Sequence, residues 1–238
     1  RTIFSDRKNN GSLSSPLSRE DVLHRVEEVP VSGRRRSNEE AESELPPFEN
    51  RNPWIRGDRP LKSAAVLVPI VDRPEGLTLL LTKRTDHLDK HPGQISFPGG
   101  RVDETDRNAE HTALRETEEE IGLKPEQFEL IGRLDDFIVG TGFLVTPVMG
   151  IIDPPFELDP HDHEVAEIFE APLDYLIDPN NFEVHQREFY GSMMSYFAVT
   201  WNDFFIWGAT AGMIRVLSER LLGLSDGSAP RIDPDLRT

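Results

Sequence analysis

Strands separated by isolated helices predict a mixed α/β domain, α+β in arrangement, rather than a doubly wound sheet. Two continuous apolar runs, 63–71 (SAAVLVPIV) and 77–82 (LTLLLT), read as buried strands joined by a turn over Asp72–Gly76. A helical segment follows from Asp106 to Ile121, closed by Gly122, where a residue without Cβ ends a helix most easily. Further strands are expected over 128–134, 144–152, 164–169 and 196–201. The helical pattern returns only at 205–222, with a largely apolar face.

Bulk properties narrow the function classes. A chain of 238 residues holds one large domain or two small ones. The absence of cysteine excludes disulfides, thiol nucleophiles and thiolate metal sites. No apolar run approaches the roughly 20 residues of a membrane-spanning helix. A net charge of −17 argues against a nucleic-acid surface. It equally means that an enzyme handling phosphates here needs a bound divalent cation to reverse the local field; plain surface solubility is the alternative reading of the acidic excess.

Residues 1–58 read as an N-terminal arm, largely flexible and, over 1–50, dispensable for chemistry. One short helix is expected after Ser18, with Val22, Leu23 and Val26 on a shared face before Pro30. Residues 59–224 form the folded domain and 225–238 a frayed tail. The start does not resemble a signal peptide. A cytoplasmic location is expected, with an organelle left open because the chain opens on Arg1 rather than Met.

The informative segment runs from Gly99-Gly100 through Asp106 to Arg115-Glu116-Thr117-Glu118-Glu119-Glu120-Ile121-Gly122. Each helical residue advances about 100°. With Ala113 at zero, Ala113, Leu114, Thr117 and Ile121 span roughly 0–100°, a packing stripe, and Glu116, Glu119 and Glu120 span roughly 240–340°. Glu118, at about 140°, stands apart from that trio. Carboxylates so spaced repel one another in water, by a few tenths of a kcal/mol per pair. A hard cation reverses the penalty. A solvated acidic face is the alternative, and the glycine pair upstream favours an ion, since backbone without Cβ approaches closely.

These residues resemble the Nudix box, G-x5-E-x7-R-E-U-x-E-E-x-G-U with U apolar, of diphosphate hydrolases. Asp106 stands where the first Glu is usual, eight residues rather than seven precede Arg115, and Thr117 occupies an apolar slot. The stretches 80–84 (LLTKR) through 93–100 (GQISFPGG), and 205–212 (FIWGATAG), resemble the coenzyme A pyrophosphatase subfamily, with Asp89 where a basic residue is usual. The resemblance implies a Nudix fold, a mixed β-sheet sandwiched between helices, and Mg²⁺- or Mn²⁺-dependent cleavage of a small-molecule diphosphate, coenzyme A or acyl-coenzyme A first. Neither nucleic acid nor membrane is an implied partner; a homodimer is allowed.

By the same resemblance, Glu116, Glu119 and Glu120 bind metal or orient the attacking water, with the Gly99 carbonyl completing the shell. Arg115 holds a helix glutamate in place, Glu164 is a ligand or base, and Arg84 and Lys90 grip substrate phosphates. Plain alternatives stand beside these. Arg84 and Lys90 could be ordinary ion pairs and Glu164 a surface carboxylate. His161 and His163 have no third partner for zinc. Phe205 and Trp207 are expected to pack the core rather than stack on an adenine. The rival functions are hydrolysis of ADP-ribose, NADH or another nucleoside diphosphate derivative, a binding module that has lost turnover, and a structural protein with an incidental acidic helix.

Overall fold

A computed structural model describes residues 15–28, 61–87, 93–139, 142–189 and 192–223. Most of the arm, the tail, and the segment 88–92 with Asp89 and Lys90 lie outside the described residues.

An eight-stranded mixed sheet forms the centre. Strand β1 (Lys62–Arg73) turns tightly into β2 (Gly76–Arg84), and both are buried along most of their length, as the continuous apolar runs require. β3 (Ile95–Ser96) pairs antiparallel with the end of β2, while β4 (Gly99–Arg101) pairs with the start of β1. β5 (Phe128–Arg133), β6 (Phe137–Val139) and β7 (Phe143–Ile152) follow helix α2 (Ala109–Ile121). β7 runs parallel to β1 along ten paired positions, and the other pairings are antiparallel, which makes the sheet mixed. β8 (Val165–Pro172) lies along β2 and leads into the short helix α3 (Leu173–Ile177).

One face of this sheet buries Ala65, Leu67, Val148 and Ile152 against Ala113 and Ile121 of α2. The opposite face meets α3, a three-stranded antiparallel sheet of β9 (Phe182–Phe189), β10 (Ser192–Trp201) and β11 (Phe204–Trp207), and α4 (Ala209–Leu222). The main sheet is thus sandwiched between helices, as expected. No helix among the described residues is long and apolar enough to cross a membrane.

Three expectations are corrected. The helix that carries the four glutamates begins at Ala109, not Asp106, because Asn108 caps it by accepting the His111 N–H at 2.8 Å. The C-terminal helix begins at Ala209: Phe205 and Trp207 belong to β11, and the chain needs Gly208 at φ +66 to turn from strand to helix. The short N-terminal helix, α1 (Arg19–Glu28), is present, yet it is not a separate arm.

Leu17, Val22 and Val26 are buried in the same core as β1, β2 and α4. Arg19 binds Asp153 at 2.6 Å, Asp72 at 3.2 Å and also Glu129. Arg25 donates to the Leu221 carbonyl, and Arg220 donates to that of Val26 at 2.7 Å, so α1 and α4 bind each other's C-terminal turns. Val22 has no exposed surface, so Val22→Ala is expected to lower the unfolding free energy by about 2 kcal/mol. Urea denaturation measures it; an unchanged midpoint would show that α1 contributes nothing to the core.

Candidate active site

The site is assembled where the second half of α2 meets the β3–β4 segment. A Cβ on Gly99 would fall on the backbone of Ala65 and Val66, and the residue holds φ +153, so only glycine fits this crossing beside β1. The Gly99 N–H donates to the Glu120 carboxylate at 3.2 Å. A Cβ on Gly100 would fall on the Glu116 carboxylate. The glycine pair therefore serves the two glutamates directly. The Gly99 contact observed here is through its amide rather than the carbonyl expected from the resemblance.

The helix separates its four glutamates as the 100° geometry requires. Glu120 is 9% exposed, Glu116 is largely covered, the Glu119 side chain is 59% exposed, and Glu118 faces solvent. Burial pushes the Glu120 carboxyl up to about 8; the Gly99 amide and Arg84 oppose the shift, and the charges of Glu116 and Glu164 reinforce it. Burial also raises Glu116, against the pull of Arg115 and with the push of Glu119 and Glu164. Glu116, Glu164 and Arg84 thus all act electrostatically on Glu120, although the four come from three separate segments.

Arg115 is the organiser. It reaches Asp106 through two nitrogens at 3.0 and 2.9 Å, Glu116 at 2.9 Å, Glu119 at 3.0 Å and the Arg101 carbonyl at 3.2 Å. The Asp106 side chain is fully buried, and the Arg115 guanidinium holds its carboxyl far below the usual range. The aspartate in the first-glutamate position is therefore the anchor of the arginine, assisted by the Thr112 hydroxyl at 2.9 Å. Sequence reasoning noted Asp106 only as a departure; its distance from Arg115 in the chain hid the pairing.

A loop docks Glu164 beside this helix. Asp159 N–H donates to the Ile121 carbonyl and His161 N–H to that of Glu120, each at 2.9 Å, satisfying carbonyls left free at the helix end. Gly122 takes φ +77 there, and a Cβ would press on Asp159 at 2.8 Å. Thr85 then pins the far side, its N–H donating to the Glu164 carbonyl at 3.0 Å and its hydroxyl to that of His163 at 2.9 Å. The His161 and His163 rings are 5.8 Å apart and exposed.

Arg84 ends β2 next to Thr85, and its Nε is buried without a hydrogen-bond partner among the described residues. Lys90, the second expected phosphate contact, lies outside the described residues. Phe205 and Trp207 do not pack the core: they project from the outer face of the three-stranded sheet, with Phe205 41% exposed.

The donor set suits a hard divalent cation: it is all oxygen, and two of its carboxylates are held up by burial and mutual repulsion, an environment short of positive charge. Among the described residues, no three acidic or histidine side chains are gathered closely enough to hold an ion as placed. Arg115 supplies the counter-charge to Glu116 and Glu119 instead.

Comparison with known proteins agrees with this architecture. The NUDIX domain matches residues 61–196. The chain is 44% identical over 160 residues to the uncharacterized Nudix hydrolase NudL of Cronobacter sakazakii (strain ATCC BAA-894), covering 66% of this chain and 81% of that relative. It is 43% identical over 159 residues to that of Escherichia coli (strain K12), with the same coverage. Among solved structures, a MutT/nudix family protein from Enterococcus faecalis overlaps 88% of this chain and 76% of its own at 17% identity, with a TM-score of 0.43 that adds no argument. With the glycine pair, the arginine and the glutamates in place inside the matched region, this chain belongs to the Nudix hydrolases, enzymes that act on diphosphate bonds with the help of divalent metals.

Proposed function

We propose that the chain is a Mg²⁺- or Mn²⁺-dependent coenzyme A diphosphatase, releasing 4′-phosphopantetheine and adenosine 3′,5′-bisphosphate. The observation that carries this reading is a buried carboxylate, Glu120, sharing one electrostatic environment with an arginine whose Nε is buried and unpartnered. Such a guanidinium nitrogen favours an anionic substrate group. Arg84 closes the LLTKR stretch that resembles the coenzyme A pyrophosphatase signature. The similar stretches at 93–100 and 205–212 point the same way.

Glu116, Glu119 and Glu120, with Gly99, are the residues we assign to the cation. When bound, it offsets the diphosphate charge and lowers the pKa of water. Arg115, fixed by Asp106, keeps Glu116 and Glu119 oriented. Glu164, exposed beside the helix end, accepts the proton of the attacking water. An oxygen–phosphorus bond forms, the bridging phosphorus–oxygen bond breaks, and the second phosphate leaves. Arg84 and Lys90 hold phosphate oxygens.

A panel of coenzyme A, dephospho-coenzyme A and ADP-ribose, with Mg²⁺ and Mn²⁺, tests the substrate. The expected order of kcat/KM places coenzyme A first. Asp89 weakens the positive field between Arg84 and Lys90, so the advantage over dephospho-coenzyme A is expected to be modest. Asp89→Arg is expected to widen it roughly 3- to 30-fold through one charge-assisted contact with the 3′-phosphate. Faster turnover of ADP-ribose than of coenzyme A would remove the coenzyme A assignment and leave the Nudix chemistry intact.

A further inference from the structure

The three-stranded sheet ends on β9, whose outer edge is paired with no strand among the described residues. This edge is eight residues long and has no proline, lysine or glycine; its charged residues are Glu183, Arg187 and Glu188. Val184 and Met193, on one face of the β9–β10 hairpin, are 53% and 58% exposed, and Phe205 is exposed on the other. Beside Phe205 lie His185, stacked on Tyr196 at 5.7 Å, and Trp207 against Tyr196 at 5.4 Å. A free edge flanked by apolar surface on both faces is a template for another strand.

The charges along β9 select which strand. Glu183, His185 and Arg187 alternate onto the same face of the sheet, the one bearing Tyr196 and Trp207. If a second β9 runs antiparallel with the twofold axis through His185, Glu183 meets Arg187 of the second copy and Arg187 meets its Glu183. Opposite charges directly across an antiparallel pair attract, and like charges there repel. A shift of the axis to Gln186 places His185 opposite Arg187, and an axis midway between the two is excluded because it would set side chains of opposite faces against each other. Shifts the other way shorten the ladder. The strand is self-complementary in one register, as a twofold interface demands.

We propose that two copies of this chain associate through β9, joining their three-stranded sheets into one six-stranded sheet in the register centred on His185. None of the residues involved belongs to the catalytic site, so the association does not depend on the substrate assignment.

Sedimentation velocity of the full chain, across a concentration series, tests it with three variants. The wild type is expected to be a concentration-dependent dimer. Glu183→Arg places arginine opposite arginine twice, and Arg187→Glu places glutamate opposite glutamate twice. Each is expected to weaken dimerisation about tenfold or more, with the thermal midpoint of the monomer and the hydrolase rate per chain unchanged. The double variant restores both pairs with their signs exchanged, and is expected to return to within a few-fold of wild type. A wild type that stays monomeric at every concentration overturns the proposal. So does a dimer indifferent to both single changes, or a double variant no better than the singles.

Discussion

Glu120→Gln is expected to reduce turnover at least about 100-fold, as is Glu119→Gln, while Glu118→Gln leaves it nearly unchanged. Glu118 points to solvent away from the site, whereas Glu120 is buried on it. Steady-state kinetics with Mg²⁺ decides the matter, and equal damage at Glu118 and Glu119 would refute the assignment of helix faces. The same substitution at Glu120 is expected to stabilise the metal-free protein. Burial raises its folded-state pKa from 4.5 to about 8, so between those values the folded chain holds a proton that the unfolded chain releases. Its favourable contribution is complete below about pH 4.5 and is lost as pH rises through about 8. In chelator, wild-type stability should therefore fall over this window by a few kcal/mol, on the order of one per pKa unit. Glutamine, neutral throughout, should remove that fall. Denaturation midpoints at pH 5 and pH 8.5 measure it; parallel pH profiles for the two proteins would mean that Glu120 is not buried as a carboxyl group.

Alanine at the two adjacent glycines is expected to fail in opposite ways. Gly100 does not need a left-handed backbone, so Gly100→Ala folds, but its methyl group falls on the Glu116 carboxylate. Turnover is expected to drop about 100-fold, since displacement of a catalytic group by about an ångström has effects of that size. Its stability should stay within about 1 kcal/mol of wild type. Gly99→Ala meets the backbone of β1 at φ +153 and should lose roughly 2–4 kcal/mol of stability. Paired measurements of kcat and urea midpoint separate the two outcomes. Full activity in Gly100→Ala would show that Glu116 need not occupy the position beside Gly100.

The placement of Glu116, Glu119 and Glu120 apart from Glu118 was legible in the sequence because helical periodicity is a local property: four residues fix it whatever surrounds them. So were β1 and β2, whose unbroken apolar runs suit only strands covered on both faces. The glycine pair announced a close approach, though not that its clients were the side chains of Glu116 and Glu120. Tertiary structure decided the rest. Asp106 became the anchor of Arg115 only when the loop before α2 folded back, and Glu164 joined the site only when Asp159 and His161 capped the helix end. The burial of Glu120, which raises its pKa, exists only in the folded chain, where Gly99 of β4 donates to its carboxylate and the charges of Arg84 and Glu164 act on it with opposite signs. The packing of residues 15–28 was not legible, because few apolar residues suffice when three of them, Leu17, Val22 and Val26, meet a hydrophobic surface already formed elsewhere. Phe205 and Trp207 were misplaced for the converse reason: aromatic residues suit a buried face and an exposed one equally, and strand pairing with β10, not composition, chose the side on which they lie.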